Sequence, residues 1–207
     1  DLKDIVDFVF LSNAGQRDDY RRAYGVEQVY YLPQAYAPYI MFRYDIPEVH
    51  DIGFAGMLSG ARLHSQRITC IERLKKHFTV VASNTMRNSI AAFYSACRLS
   101  FGGSNFPYYL YVSNRLFIVL GCGGVYFGPS FPGMERLVEN RKHVVCFDHQ
   151  DEMIDVARYY ITNDQERNNI RVNAETLAKE KHTYVQRIKN MLDIVEGKTE
   201  SFYGFIN

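Results

Sequence analysis

The chain has 207 residues, of which 47% are hydrophobic, and its formal net charge is +1. This length suffices for one large domain, or for one domain and part of another, around a buried core. A charge so near zero gives no global electrostatic signal for binding nucleic acid or an anionic membrane. No run of about 18 apolar residues occurs, so the sequence predicts no membrane-spanning helix.

The cysteines and the start of the chain indicate its setting. Cys70, Cys97, Cys122 and Cys146 lie singly among apolar neighbours, and no Cys-x-x-Cys pair occurs. We therefore predict buried, reduced thiols rather than a zinc site, as is typical of cytoplasmic proteins. The chain begins at Asp1, without Met and without a signal-peptide pattern, so we expect a fragment that starts inside a longer protein.

The first fifty residues predict a strand, a helix, a second strand and a linker. Apolar runs at 4–10 and 26–32 are typical of strands, and 17–24 is predicted to be a short helix that ends at Gly25. Residues 34–50 contain prolines and tyrosines without a clear period. We therefore place a domain boundary in that stretch.

From residue 51 the pattern alternates between short strands and helices. Strands are predicted at 51–56, 78–82, 98–101, 142–147 and between Gly124 and the Gly128-Pro129 turn. Helices are predicted at 64–77, 88–96, from Ser113 to a glycine cluster, and at 150–160, 164–180 and 183–195. This alternation favours an α/β fold, a Rossmann-like parallel sheet flanked by helices on both faces. The residues after Gly197 are predicted to form a loose tail.

Residues 113–135 carry the strongest signal for a ligand site. A helix stops at a glycine cluster, a short strand follows, and another helix is predicted to begin near Gly133. In open α/β sheets, backbone N–H groups and a helix start at the carboxyl end of a strand bind phosphorylated ligands. We assign Gly123, Gly124, Gly133 and Glu135 to this site. Glu135 either accepts hydrogen bonds from a sugar or simply favours the first helical turn.

Arginines supply further candidates. Gly56 permits close backbone approach, and Arg62 and Arg67 offer forked hydrogen bonds to a diphosphate. The alternative is a solvated helix start with surface arginines. Arg115 is a cation at a helix start, which the helix dipole disfavours, so it requires an anion or an acidic partner. A bound diphosphate is one such partner and Glu135 is the other.

Three asparagines complete the assignment. Asn84 contacts a nucleotide base or ribose, or else forms an ordinary Asx turn or helix cap. Asn105 lies in the aromatic loop 102–111, where ligand contact and simple packing are alternatives, and Asn114 stands at a helix start. His182 is interpreted as a packing or capping residue. No Ser-His-Asp or Cys-His arrangement and no carboxylate cluster is evident, so no catalytic residue and no metal ligand is assigned.

In their order and spacing, several motifs resemble the C-terminal part of GT-B fold glycosyltransferases, in particular the CgeB-like, spore-maturation branch of family-one glycosyltransferase domains. Residues 114–124 resemble the family's Arg-x-Phe-Glu-x-x-Ala-x-Gly-Gly helix and turn, and 132–137 resemble its Pro-Gly-Leu-Glu-Glu-Leu segment. The chain resembles the family's closing helices at 147–153, 163–167 and 182–187, and it resembles the end of the family's N-terminal domain at 7–10 and 30–35.

This resemblance implies a nucleotide-diphosphate-sugar donor, with a UDP-sugar favoured, bound on residues 52–135 without a metal or another cofactor. Protein cations and helix dipoles would stabilise the leaving diphosphate. Arg115 matches the family arginine and would face that diphosphate. The family glutamate is replaced by Ile118, so the donor is bound through another group or activity has been lost.

The resemblance also implies a division of the chain and a set of partners. Residues 1–50 would be the end of an acceptor-side N-terminal domain with its linker, 51–196 the nucleotide-sugar-binding domain, and 197–207 a C-terminal tail. The partners would be a nucleotide sugar, the missing N-terminal domain, and an acceptor that is a glycan, a protein or modified phage DNA. Two functions stand as alternatives: a glycosyltransferase, or an inactive glycosyltransferase-like module for binding or scaffolding.

Overall fold

The computed structural model describes residues 1–58, 61–83, 89–103 and 108–206, with the backbone alone at 61–65. Its first unit is a two-stranded parallel sheet. Strand β1 (Phe8–Leu11) pairs with β2 (Gln28–Tyr31), and α1 (Arg17–Tyr24) connects them. Gly25 ends α1 with a left-handed φ of 66°, a conformation that glycine adopts without steric cost.

The second unit is a five-stranded parallel sheet. Its strands are β3 (His50–Ala55), β4 (Val80–Ser83), β5 (Cys97–Phe101), β6 (Tyr126–Pro129) and β7 (Val145–Phe147). They lie in the order β4-β3-β5-β6-β7, and each neighbouring pair is parallel. Because the five strands run in one direction, their carboxyl ends lie along one side of the sheet, which we call the carboxyl edge.

Helices cover both faces of this sheet. Those on the sheet are α2 (Ala61–Lys75), α3 (Ile90–Ser95), α4 (Arg115–Gly121) and α5 (Met153–Thr162), and α6 (Asp164–Lys181) packs against α4 and α5. Helix α7 (Tyr184–Val195) contacts the segment after β2, where Arg187 donates to the carbonyl of Pro33. Side chains of α3 and α4 belong to one buried apolar cluster, and those of α2 and α5 belong to another. In β3, β4, β6 and β7, alternate residues divide between the same two clusters, as side chains on opposite faces of a strand do. The predicted Rossmann-like α/β fold is therefore confirmed.

Two predicted features differ from the structure. After Gly133 the chain forms a single 3-10 turn, Met134–Arg136, where a helix start is predicted. The C-terminal segment is not a loose tail, because Phe202 is only 4% exposed. The Phe202 ring packs edge to face against Tyr31, with 5.5 Å between the ring centroids. Burial of this aromatic side chain therefore anchors the segment on β2.

Buried titratable groups in the core have packing roles, as the sequence predicts. All four cysteines are buried and free. Burial raises the pKa of Cys97, Cys122 and Cys146 to about 12, so these thiols stay protonated. Burial, followed by the positive charge of Arg187, lowers the pKa of His182 to about 3. The neutral imidazole of His182 packs against an aromatic ring of α4.

Among the described helices, none has the length and apolar character needed to cross a membrane.

Candidate functional site

Backbone hydrogen bonds hold the loops at the carboxyl edge. The N–H of Gly56, which follows β3, donates to the carbonyl of Ser83 at the end of β4 over 2.8 Å. The N–H of Gly102, which follows β5, donates to the carbonyl of Phe127 in β6 over 2.7 Å. Since β3 and β5 are neighbours, the chain segments that leave these two strands lie side by side.

Arg115 reaches this edge from the first residue of α4. Its Nε donates to the carbonyl of Ala55 over 2.9 Å, and its guanidinium carbon lies 4.6 Å from the centroid of the Phe54 ring. Its Nη1 is buried and meets no hydrogen-bond acceptor among the described residues. Nor does any carboxylate within the described ranges form an ion pair with Arg115, Glu135 included. Of the two partners that the sequence suggests for Arg115, the acidic side chain is therefore not found.

Arg67 approaches the same ring from α2, on the opposite face of the sheet. The side chain of Arg67 is buried, and its guanidinium carbon lies 5.3 Å from the centroid of the Phe54 ring. Its two Nη atoms donate to the carbonyls of Met57 and Gly103 over 3.2 and 3.1 Å. Burial lowers the pKa of Arg67, and the positive charge of Arg115 lowers it further. The two guanidinium groups are thus close enough to repel each other.

The pair of arginines is an arrangement suited to an anion. Two like charges at a partly desolvated edge destabilise each other, and a bound anion would relieve that repulsion. Guanidinium groups form forked hydrogen bonds with phosphate oxygens, and helices on both faces of the sheet deliver one group each. A diphosphate carries the charge and the number of oxygen atoms that such a pair would bind.

Gly56 makes room for Arg115. A Cβ atom built at Gly56 would lie 2.3 Å from Nη2 of Arg115, well inside van der Waals contact. The φ of Gly56 is 154°, which side-chain-bearing residues rarely adopt. The glycine that the sequence suggests for backbone approach to a ligand therefore also admits the arginine.

The loop that precedes α4 connects three parts of the molecule. The carbonyl of Tyr109 accepts hydrogen bonds from the N–H groups of Ala14 and Gly15 over 3.1 and 3.2 Å, which ties it to the loop after β1. The N–H of Leu110 donates to the carbonyl of Pro132 over 2.8 Å. Gly133, with a φ of 82°, accommodates the Tyr109 ring, because a Cβ there would lie 2.7 Å from a ring carbon.

The glycine cluster does not lie at this edge. Gly123 and Gly124 immediately precede β6, so they lie beside its amino end, whereas Arg115 lies at the carboxyl edge. The carbonyl of Gly123 accepts a hydrogen bond from Nη1 of Arg43 over 3.1 Å. The helix, glycine cluster and strand follow one another in the sequence, and this order predicts the glycines at the same site as Arg115. In the structure, α4 runs from one edge of the sheet to the other and separates them.

The remaining predicted residues have varied positions. Asn114 is exposed at the start of α4 and makes no side-chain cap, and Glu135 is exposed within the short 3-10 turn. Ile118, at the position of the family glutamate, is half-buried and packs against the core on the α4 face. Asn84, Asn105 and the side chain of Arg62 lie outside the described residues.

Phe54 and the carbonyls of Met57 and Gly103 were not predicted from the sequence. Phe54 lies in an apolar run that predicts a buried strand, and a core phenylalanine carries no sign of a site. Backbone carbonyls carry no residue-specific signal at all. Among the described residues, no group of three or more His, Cys, Asp or Glu side chains lies together as metal ligands would.

Comparison with known proteins agrees with this architecture. Residues 65–193 match the sequence model of a family described as glycosyl transferase-like. HepE from Anabaena, solved in complex with UDP and glucose, superposes with a TM-score of 0.68 at 12% identity, covering 94% of this chain and 64% of HepE. TarM from S. aureus, in a complex that includes UDP, gives a TM-score of 0.66 at 10% identity, covering 93% of this chain and 44% of TarM.

Sucrose-phosphate synthase from Thermosynechococcus elongatus gives a TM-score of 0.64 at 11% identity, covering 95% of this chain and 60% of that enzyme. Such similarity establishes the fold, that of GT-B glycosyltransferases. The chain spans 44 to 64% of the length of these three proteins. A comparison with curated proteins finds no match.

Proposed function

The chain belongs to the glycosyl transferase-like family, and we propose that it binds a nucleotide-diphosphate sugar, a UDP-sugar above all, and donates the sugar to an acceptor. The observation that carries this proposal is the convergence of Arg67 and Arg115 on the Phe54 ring at the carboxyl edge. Two of the solved structures with this fold contain UDP, which supports the choice of nucleotide.

In the proposed mechanism, the two arginines stabilise the charge that develops on the leaving diphosphate. Breaking the bond between the sugar and the diphosphate leaves negative charge on the phosphate oxygens, and preformed cations lower the energy of that state. Because the arginines are held in place before the donor arrives, little reorganisation accompanies the reaction. We propose that this pair takes the role of a metal ion, so that transfer is metal-independent.

The other predicted contacts stay proposals. Gly56 and Gly133 border the donor, since the first adjoins Arg115 and the second packs on the loop that precedes α4. Arg62 is proposed to contact the diphosphate, Asn84 the base or ribose, and Glu135 the sugar. Asn105 and Asn114 are proposed as further contacts with the donor. Gly123 and Gly124 contribute by ending α4 rather than by touching the donor, given their place beside the amino end of β6.

The setting of the reaction is proposed on the same basis. Residues 51–196 form the donor-binding domain, 1–50 the end of an acceptor-side domain with its linker, and 197–207 a terminal segment. A further N-terminal part would supply the acceptor site and the catalytic base, with a glycan, a protein or modified DNA as acceptor. We also propose that the chain belongs to the CgeB-like branch and acts in the cytoplasm.

A second function is favoured by Ile118. An apolar side chain packed on the core cannot accept hydrogen bonds from a ribose, as a glutamate at this position would. The domain would then bind the donor without transferring its sugar. Release of glucose from UDP-glucose by the complete protein separates the two functions, because only an active enzyme turns the donor over.

Substitution of Arg115 by alanine tests the donor site. We expect Arg115→Ala to weaken UDP binding by about 1–3 kcal/mol, the range for hydrogen bonds to a charged group, measured by calorimetric titration. Arg158→Ala is the matched control, because Arg158 also lies over a phenylalanine ring, 5.7 Å from the centroid of Phe78. Phe78 stands just before β4, so Arg158 lies at the amino side of the sheet, away from the proposed site. Equal UDP affinity in the wild type and Arg115→Ala would rule out the assignment.

A further inference from the structure

Phe54 occupies a central position beneath the two arginines. It is fully buried in β3, one residue before the strand ends, and both guanidinium groups lie over its ring. We propose that Phe54 is a positioning residue for the donor diphosphate, which holds the guanidinium groups of Arg67 and Arg115 together at the carboxyl edge. This inference rests on the proposed function of the site.

The Phe54 ring lies between two groups of like charge. Arg67 and Arg115 repel each other, so the free protein needs groups that hold them close. Carbonyl oxygens of Ala55, Met57 and Gly103 accept hydrogen bonds from the two side chains and contribute to this. The face of an aromatic ring has negative potential and attracts a guanidinium group, more strongly where water is excluded. One ring that attracts both cations partly offsets their repulsion without neutralising them.

The Phe54 ring is held rigidly by its neighbours, because it lies in a row of aromatic side chains that crosses the sheet just below the carboxyl edge. Phe54 and Phe101 have ring centroids 6.2 Å apart, Phe101 and Phe127 are 6.1 Å apart, and Phe127 and Phe147 are 5.4 Å apart. All four side chains are buried, so the ring cannot turn away from the arginines without disturbing its neighbours. The row therefore provides a fixed base for the guanidinium groups.

The test separates positioning from simple core packing. Phe54→Leu removes the aromatic face and keeps an apolar side chain. Phe78→Leu is the matched control, because Arg158 lies over the Phe78 ring, 5.7 Å from its centroid, at the amino side of the sheet and outside this row. Affinities for UDP and for uridine, which lacks phosphate, are measured by NMR titration for both variants and the wild type.

We expect Phe54→Leu to lower UDP affinity about tenfold, a loss between those that an exposed and a desolvated cation–π contact predict, and to leave uridine affinity unchanged. Phe78→Leu should keep both affinities within about twofold of the wild type, whatever its thermal stability. In an Arg115→Ala background, Phe54→Leu should add less than its effect alone, because the two residues act as one unit. Phe54→Met serves the same test if Phe54→Leu does not fold.

Each outcome distinguishes the two claims. Equal losses of UDP affinity in Phe54→Leu and Phe78→Leu, or equal losses for UDP and uridine, would overturn the positioning role and leave the donor site standing. Absence of UDP binding by the wild type would overturn both.

Discussion

Replacing Glu48 by alanine is expected to lower the free energy of unfolding by about 3–5 kcal/mol, the range for breaking a buried ion pair. Glu48 stands just before β3, and one carboxylate oxygen is 2.9 Å from Nη2 of Arg167 in α6. The other oxygen bonds Arg171 of the same helix. These arginine side chains are 3% and 10% exposed, so the substitution leaves Arg171 without its carboxylate and Arg167 with that of Asp164 alone.

Urea denaturation measures this loss of stability, and two further variants provide comparisons. Glu48→Gln keeps the size and hydrogen-bonding capacity of the side chain but not its charge, so an intermediate loss is expected. Glu72→Ala removes an exposed ion pair with Lys75 in α2, which is expected to matter by less than about 1 kcal/mol. If Glu48→Ala and Glu72→Ala had equal effects, the segment before β3 would not be held to α6 by this charge.

Gly128→Ala is expected to destabilise the fold by about 3 kcal/mol, at the upper end of typical overpacking costs. A Cβ atom at Gly128 would lie 2.2 Å from the carbonyl oxygen of Gly102. That oxygen belongs to the backbone just after β5, which is fixed by the hydrogen bond from the N–H of Gly102 to the carbonyl of Phe127. Relief of this clash therefore requires β5 and β6 to separate. Their separation also shifts Gly103, whose carbonyl accepts a hydrogen bond from Arg67.

Gly103→Ala is the matched control for this prediction. A Cβ at Gly103 would meet its nearest neighbour, the Cδ of Pro129, at 3.6 Å, an ordinary van der Waals contact. We expect a loss of less than about 1 kcal/mol for this variant by thermal unfolding. A Gly128→Ala protein as stable as Gly103→Ala would mean that β5 and β6 separate at little cost at the carboxyl edge.

The sheet was predictable because its strands are short, apolar and separated by amphipathic helices, a pattern that depends on local sequence alone. The placement of Arg115, Arg67 and Gly56 at one edge of the sheet was predictable for a related reason. Each stands at the end of a strand or near the start of a helix, and in a parallel α/β sheet such positions meet at one edge.

What the sequence did not predict depends on distance along elements and on contacts across them. Gly123 and Gly124 follow Arg115 closely in sequence, yet α4 carries them to the other edge, because each helical residue advances the chain by about 1.5 Å. Phe54 has an apolar side chain whose role depends on two arginines from separate helices. The C-terminal segment looked loose because its anchor, Phe202, meets Tyr31, a partner distant in sequence.

Calorimetric titration of the chain with UDP, GDP, dTDP and CDP tests whether the carboxyl edge binds a nucleotide diphosphate. We expect micromolar affinity for UDP, weaker affinity for the other three, and weakened UDP binding in Arg115→Ala. Binding of none of the four would contradict this expectation.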